Sequence, residues 1–366
     1  MATELKKHFP IIREREEVLA EIAKNVALQE KFDSWEVEQQ EEFLNICTGV
    51  KGLKLLYDGF FKEIMNPEYV PERLNDFLSQ MLGKKVRVLK VLPGDSTRIA
   101  DESSLLIMDI VVEMKDGSIA NVEVQKIGYL FPGQRCACYS ADLLLRQYKR
   151  VRGEKKKKFS YRDVKDDYTI VLFEKSPREF QDYPEKFYHF FEQKSDTGLQ
   201  MEFLQKYLFI PLDIFQKSQQ NRNIRKKRDA WLTLFSSDDP ETIIRLIERY
   251  PEFYKIYEEG YEICRNVERV MEMFSKELYE LDRNTVQYMI DEMQDTIDAQ
   301  QKKLDLQEET INKMQERMKE EQEKMYIENI KNTVDILRKL NTPEQEIILQ
   351  VCSKYQISEE QVRKYL

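Results

Sequence analysis

Residues 105–126 read LLIMDIVVEMKDGSIANVEVQK, and the alternation of their side chains decides the fold of the central part of the chain. The Asp116-Gly117 pair marks a tight reversal between two strands, so the stretch is predicted to be a β-hairpin. Successive side chains of a strand point to opposite faces of the sheet. The even-numbered positions therefore form an apolar face, and the odd-numbered positions place Asp109, Asn121, Glu123 and Gln125 on the other face.

The length of the turn determines the register of this hairpin. A two-residue turn at Asp116-Gly117 would place the apolar side chains of the two strands on different faces. A three-residue turn from Lys115 to Gly117, with Gly117 left-handed in a G1 bulge, places them on the same face. In that register Asp109 lies directly across from Glu123, with Cβ atoms roughly 5 Å apart.

Two carboxylates at this separation repel each other unless a cation lies between them. Magnesium prefers oxygen ligands, and it commonly takes one or two carboxylates together with a backbone carbonyl, water and substrate phosphate. Glu113 shares the polar face, but it lies about 13 Å farther along the strand and is too near the turn to take part. The pattern alone also fits an edge strand whose acids are simply solvated.

Aliphatic and helical periodicities outside the hairpin indicate the fold class. Runs of strand length occupy residues 86–92, 105–112, 120–125 and 168–173, and helical spacing occurs at residues 36–47, 74–82 and 143–150. Gly83 follows the second helical run as a C-cap. This mixture predicts an α+β fold with a mixed sheet flanked by helices. All 11 glycines lie at or before Gly260, so the remainder is predicted to be helical.

The helical C-terminal region carries one apolar stripe. Its members recur every seven residues, at Ile290, Ile297, Leu304, Ile311, Met318 and Met325. This spacing predicts an arm that forms a homodimer through residues 290–325. The companion positions three residues on are Met293, Gln300, Gln307, Met314 and Glu321, so a helix packed on its own domain or a solvated helix also fits.

Capping signals in the last residues predict a small helix pair. Asn341-Thr342-Pro343-Glu344 reads as an N-cap with proline just inside the next helix, and Ser358-Glu359-Glu360 reads as a second cap. Such a pair is either a DNA-reading helix-turn-helix or a packing element. The predicted domains are residues 1–56, 57–260, 261–340 and 341–366.

Composition excludes several classes of chemistry. The chain has 366 residues, 34% charged, a formal net charge of −9, five cysteines and two histidines. Two histidines are too few for histidine-based catalysis or a histidine-rich metal site. The cysteines form no CxxC pair, so a structural zinc site is not expected. No run approaches the roughly 18 apolar residues of a membrane span, and the first residues lack a signal peptide's apolar core. We expect a cytoplasmic protein with reduced thiols.

Asp109, followed fourteen residues later by Glu123-Val124-Gln125, resembles the core of the PD-(D/E)XK nucleases. The ExQ form resembles the PD-(D/E)XK nuclease family transposases, also described as recombination-promoting nucleases. The resemblance spans residues 57–293 and includes the following segments: Tyr57 to Lys62 and Leu74 to Leu78 upstream, and Arg135, Tyr139, Ser140 and residues 168–173, 188–191 and 231–235 downstream.

The resemblance implies a restriction-endonuclease-like α+β core that hydrolyses DNA phosphodiesters with Mg²⁺, or with Mn²⁺ as a substitute. The long helical C-terminal region is expected to follow this core. Asp109 and Glu123 would hold the metal, the Val124 carbonyl would add a ligand, and Gln125 would orient the attacking water. Arg135 and Tyr139 would contact phosphate. The basic segment that follows them adds Arg146, Lys149 and Arg150 as further candidates for phosphate contact. Glu63, on an entry helix, is an additional candidate for the metal. Arg135 and Tyr139 lie one helical turn apart, and they also fit a helix that simply packs on the sheet.

The sequence departs from the family pattern in three places. Met108 stands where the family's proline would precede Asp109, and Gln125 stands where a lysine would polarise the water. Lys126 cannot replace that lysine, because in a regular strand it points to the opposite face. The segment 149–165 is longer than the family's usual link before the next strand.

Basic residues are concentrated where a polyanion would lie. Residues 144–165 contain ten basic side chains against two acidic ones, and a second cluster occupies residues 222–228. Such patches bind phosphates without sequence preference, although solvated loops have the same composition. The resulting hypothesis is a Mg²⁺-dependent DNA endonuclease acting in recombination or DNA mobility. The alternatives are a catalytically weak DNA-binding relative and a non-enzymatic scaffold.

Overall fold

The computed structural model describes residues 3–92, 109–127, 132–219 and 224–366, and its central feature is a mixed sheet. The strands are β1 (Val88–Leu92), β2 (Ile110–Met114), β3 (Ile119–Ile127), β4 (Asp167–Lys175), β5 (His189–Phe191) and β6 (Gln205–Pro211). Their order across the sheet is β1-β2-β3-β4-β6-β5. The β3-β4 and β4-β6 pairs are parallel and the remaining pairs are antiparallel, so the predicted mixed α+β architecture is confirmed.

Helices precede the sheet, cover it and follow it. Those of the described residues before β4 are α1 (Glu4–His8), α2 (Arg15–Lys24), α3 (Val26–Asp33), α4 (Val37–Cys47), α5 (Asp58–Ile64), α6 (Pro71–Leu82) and α7 (Pro132–Lys155). The later helices are α8 (Arg178–Gln181), α9 (Leu212–Gln219), α10 (Lys227–Ser236), α11 (Pro240–Arg249), α12 (Tyr254–Cys264), α13 (Val267–Lys339), α14 (Glu344–Tyr355) and α15 (Glu359–Val362). Gly83 caps α6 with φ +63°, as predicted. None of the helices in these ranges is long and apolar enough to cross a bilayer.

The β2-β3 hairpin has the register predicted from its apolar pattern. Ile110 pairs with Val122 and Val112 pairs with Ala120, so odd positions face odd positions. Gly117 has φ +88°, and its N–H bonds to the Met114 carbonyl across the three-residue turn. The left-handed conformation is accessible to glycine because it has no Cβ. Residues 105–108 of the predicted first strand lie outside the described residues.

The two faces of the sheet are buried against different partners. The even-numbered side chains of the hairpin, such as Ile110 and Val122, join the main core together with the N-terminal helices and the start of α13. On the odd face, Val111 and Ile119 pack against Tyr139 and Leu143 of α7. The polar residues of that face are therefore covered by a helix instead of lying in open solvent.

The N-terminal helices are part of the same core as the sheet. The ring centre of Phe43 in α4 lies 5.6 Å from the ring centre of Phe274 in α13, and the ring centre of Trp35 lies 5.0 Å from it. The chain forms two compact units, Met1–Asp291 and Glu292–Leu366. The four-part division predicted from the sequence is finer than these units and stays a prediction.

The second unit contains the rest of α13 and the predicted C-terminal helix pair. Ile330 and Val334 of α13 pack against Ile347 and Val351 of α14, with Val362 of α15 completing the cluster. Ser358 caps α15 in a capping box, as predicted. The other predicted cap is wrong in detail. Pro343 is itself the N-cap of α14, and Asn341 is left-handed with φ +56°, because it ends the preceding helix.

Lys126 is buried on the face of β3 opposite the two acids. Its ammonium lies 3.0 Å from Glu277 Oε1 of α13 and 4.9 Å from the centre of the Tyr57 ring, and it donates to the Leu56 carbonyl. Glu277 is 5% exposed and also accepts from the Asp58 N–H. Lys126 therefore holds the first unit together and does not reach the acids, as the strand parity predicts.

Replacing Lys126 with alanine is expected to lower the free energy of unfolding by about 3 kcal/mol, because Glu277 would be left buried without its nearest cation. Urea denaturation followed by circular dichroism measures the change. Lys175→Ala is the matched control, since Lys175 is exposed at the end of the neighbouring strand, and its effect should stay within about 0.5 kcal/mol. Equal stability of the two variants would contradict this role of Lys126.

Candidate active site

The structure brings Asp109 and Glu123 together on the face of the hairpin that α7 covers. Asp109 immediately precedes β2, and Glu123 lies in the middle of β3. The Asp109 N–H donates to Glu123 Oε1 at 3.3 Å, and the Val124 N–H donates to Asp109 Oδ2 at 2.8 Å. Each carboxylate is thus anchored by the backbone of the opposite strand, which holds the two acids side by side.

Burial shapes the ionisation of this acid pair. Glu123 is 4% exposed, and burial, followed by the negative charge of Asp109, raises its pKa to about 8. Burial also raises the pKa of Asp109, against the opposing effects of the Val124 N–H and the Lys62 ammonium. Carboxylates that share a site resist losing both protons until positive charge arrives. The pair therefore favours a cation between its members.

Gln125 follows Glu123 by two positions and shares its face. It is 4% exposed, and neither its side-chain oxygen nor its nitrogen has a hydrogen-bond partner among the described residues. Asn121, two positions before Glu123, donates to Glu123 Oε1 at 2.9 Å, while its own oxygen has no partner among those residues. A buried amide without partners is costly unless water or a ligand satisfies it. Gln125 is therefore suited to holding a water molecule.

A cation reaches the acid pair from α5. Lys62 Nζ lies 3.5 Å from Asp109 Oδ1 and 2.6 Å from Asp58 Oδ1, one helical turn earlier. No role was predicted for Lys62 from the sequence, although it lies in the entry helix. Its position four residues after Asp58 was the available signal, since residues four apart meet on one helical face.

Arg135 and Tyr139 of α7 lie over the site from the other side. Arg135 Nε donates to the Tyr139 hydroxyl at 2.8 Å, and the Arg135 guanidinium acts to lower the pKa of Glu123. Tyr139 is almost fully buried, and its pKa is raised to about 12, mainly by burial. Tyr139 thus braces the Arg135 side chain next to the acids, while the guanidinium remains the part able to meet a phosphate.

Two of the residues expected to contact phosphate are paired with acids of the protein itself, and their contact with phosphate stays a prediction. Arg146 is paired with Asp142, one turn before it on α7, and Arg150 is paired with Glu113 of β2. Arg146 meets Asp142 because residues four apart share a helical face, and Arg150 meets Glu113 because folding brings α7 along the hairpin. Lys149 between them is exposed, as expected of a residue that meets a polyanion.

Glu63 is paired with Arg269 of α13, so its carboxylate already has a cation partner. Its role as a metal ligand stays a prediction. Glu113, which the sequence analysis had excluded, is likewise occupied by Lys90 and Arg150.

The side chains at this site fit a single hard divalent cation. Two buried carboxylates with raised pKa values and a buried amide without partners leave a demand for positive charge and water. Within the described ranges, no group of three or more His, Cys, Asp or Glu side chains is arranged to hold a metal. Asp109 and Glu123 would therefore be the protein carboxylates, with backbone, water and substrate completing the shell, as is common for Mg²⁺.

A family model described as PD-(D/E)XK nuclease family transposase matches residues 55–292. No curated protein and no solved structure matches the chain. The matched segment includes the β2-β3 hairpin, both acids and α7. The match confirms the resemblance inferred from the hairpin. Because it covers more than half of the chain, the chain belongs to the PD-(D/E)XK nuclease family transposases.

Proposed function

We propose that this chain is a Mg²⁺-dependent DNA endonuclease that acts in DNA recombination or mobility. The observation that carries the proposal is the pairing of Asp109 and Glu123 across the hairpin, with the unpartnered Gln125 amide on the same face. Membership of this family supports a nuclease as the class of activity. The DNA substrate, the metal and the activity are our inference from the chemistry of the site.

The residues divide the work of hydrolysis as follows. Asp109 and Glu123 would hold the metal, and Gln125 would orient the attacking water through its amide. A bound Mg²⁺, or Mn²⁺ in its place, would supply Lewis acidity at this position. Arg135, braced by Tyr139, lies near Glu123 and is placed to neutralise a phosphate oxygen.

Exposed basic side chains beyond the site support DNA as the substrate. Lys149 and Arg152 of α7 are exposed, as are Lys156, Lys157 and Lys158 in the short helical turn that follows. Neutralising several phosphates releases counterions, so the affinity for DNA should fall steeply as the salt concentration rises. Of the second basic cluster, Arg222 lies outside the described residues, and Lys227 is paired with Asp76 and Glu252.

Nicking of supercoiled plasmid with Mg²⁺, and its loss on chelation, is the experiment that tests the proposal. Single-stranded RNA of similar length serves as the competing substrate. Nicking that needs the metal supports the endonuclease. The alternative is a catalytically weak DNA-binding relative, which is favoured by the uncharged Gln125 at the position of the family's lysine. This alternative would be supported if the chain binds DNA at low salt but does not nick it in Mg²⁺ or Mn²⁺. Failure to bind any nucleic acid would leave a scaffold.

We further propose that two copies associate through the stripe at residues 290–325. Ile297, Leu304 and Ile311 on this stripe are each more than half exposed. A cytoplasmic location is consistent with the five cysteines, which are all free.

Leu304→Asp is expected to weaken self-association roughly 100-fold, because it would place a carboxylate in the apolar contact between copies. Sedimentation equilibrium of the full chain measures the mass. Leu306→Asp is the matched control, since Leu306 is 64% exposed on the same helix but lies off the stripe. A parent chain that sediments as a monomer would contradict the dimer.

A further inference from the structure

Lys62 is the side chain of α5 that reaches the acid pair. Its ammonium lies between two carboxylates, 2.6 Å from Asp58 and 3.5 Å from Asp109. The side chain is 39% exposed, so it borders solvent and is not enclosed in the core. The flexible four-carbon stem of lysine allows the ammonium to shift toward an incoming anion without moving the helix.

Asp58 holds Lys62 in this position and is itself anchored. Its other oxygen lies 3.0 Å from Lys276 Nζ of α13, and its backbone N–H donates to Glu277. Asp58 is 17% exposed, so it is a partly buried partner whose geometry is set by α13. The position of Lys62 is therefore fixed by contacts beyond its own helix.

The strand that carries Glu123 does not supply an ammonium to the site. Gln125, on the site face, is neutral, and Lys126, on the opposite face, is bound to Glu277 and the Leu56 carbonyl. Hydrolysis of a phosphodiester builds negative charge on the phosphate oxygens, and a fixed cation next to them stabilises that charge. Among the described residues, Lys62 is the lysine in contact with either acid.

We propose that Lys62 is a catalytic residue whose ammonium contacts the scissile phosphate, supplying from α5 the positive charge that β3 lacks at Gln125. Asp58 is then a positioning residue that acts through Lys62. The ammonium keeps its protons throughout, so it neutralises charge and transfers nothing. This inference rests on the proposed endonuclease function and identifies how that site manages with a glutamine.

Lys62→Gln is expected to lower kcat for plasmid nicking by roughly 100-fold with little change in KM, the loss typical of removing one charge-stabilising donor. Binding of Mn²⁺ to the full chain without DNA, followed by electron paramagnetic resonance, is a second measurement. It should be unchanged or tighter, because the variant removes an ammonium next to Asp109. Lys255→Gln is the matched control, since Lys255 is an exposed lysine of α12 outside the contacts that position Lys62, and it should nick within about twofold of the parent.

Relocating the charge provides the decisive comparison. In the Lys62→Gln background, Gln125→Lys places an ammonium on the site face of β3, and nicking is expected to recover at least tenfold. Absence of recovery, full activity of Lys62→Gln, or weaker Mn²⁺ binding by that variant would overturn the inference while the endonuclease function stands. A parent chain that does not nick would instead overturn the proposed function, and this inference with it.

Discussion

Asp109→Asn and Glu123→Gln, made one at a time, are each expected to reduce Mg²⁺-dependent nicking by roughly 1,000-fold, because each removes one of the two carboxylates that would hold the metal. The amides keep the size of the acids. They also keep an oxygen to accept from the Val124 and Asp109 N–H groups, so the hairpin should be preserved.

The stability of these variants separates a lost metal site from a lost fold. Burial raises the pKa of both acids, so each costs the folded protein stability when ionised. Neutral replacements should therefore melt no lower than the parent near pH 8. DNA binding at low salt should also persist, because the exposed lysines at the end of α7 are untouched.

Asp116→Asn is the matched control for the acid pair. Asp116 lies at the tip of the same hairpin, seven residues from each acid, and accepts from the Ser118 N–H, as asparagine also can. It should nick like the parent. Nicking that survives in Asp109→Asn or Glu123→Gln while Asp116→Asn behaves normally would remove these two acids from the mechanism.

The second large effect concerns Asp167 at the start of β4, which is fully buried beneath α7. Its Oδ2 accepts from the Ser140 hydroxyl at 2.5 Å, while Oδ1 has no partner among the described residues. Burial raises the pKa of Asp167 from 3.8 to about 7. The folded state therefore binds a proton that the unfolded chain releases between about pH 4 and pH 7.

The sign of the effect follows from this difference in proton binding. Stability falls as the pH rises between these two pKa values, by up to about 4 kcal/mol at 1.36 kcal/mol per pKa unit, and is constant above them. Asp167→Asn removes this loss. Its advantage over the parent is therefore expected to be about 3 to 4 kcal/mol greater at pH 8 than at pH 4.

Urea denaturation of parent and variant at both pH values measures this change. The informative quantity is how much the stability difference between variant and parent changes from pH 4 to pH 8. A hydrogen bond that the amide fails to make costs the same stability at both pH values, so it cancels. Asp166→Asn, at the neighbouring and partly exposed position, should retain most of the parent's pH dependence. An Asp167→Asn variant with the parent's pH dependence would contradict a buried protonated acid.

The acid pair combines a chemical demand with a structural cost. Buried carboxylates without a cation destabilise the fold, and such groups are concentrated at functional sites. The buried ion pair between Lys126 and Glu277 lies on the opposite face of the same strand and ties β3 to α13. Rigid support behind the strand is what a site with two closely spaced acids needs to keep its geometry.

Periodicity was sufficient to predict the hairpin. Alternation at residues 105–126 gave the face of each side chain, and matching the apolar faces required the three-residue turn with Gly117 left-handed. The pairing of Asp109 with Glu123 follows from that register alone, because strand parity is a local property of the chain. The helical C-terminal region could also be predicted, since glycine is absent after Gly260.

The partners of the charged side chains could not be predicted in this way. Arg150 is a basic residue next to a candidate site, yet folding pairs it with Glu113 of β2, 37 positions earlier in the chain. Lys62 meets Asp109 across 47 positions of sequence, and no periodic pattern encodes a contact of that range. Ion pairs depend on which surfaces meet when α5 and α7 pack against the sheet.

The residues of the hairpin alone thus determined which side chains face each other, since alternation and turn chemistry act over a few positions. Packing of helices far away in the chain decided how those side chains ionise and which cation reaches them. The physical reason is that burial and long-range charge, which raise the pKa of Glu123 to about 8 and bring Lys62 to Asp109, exist only once the sheet and its helices are assembled.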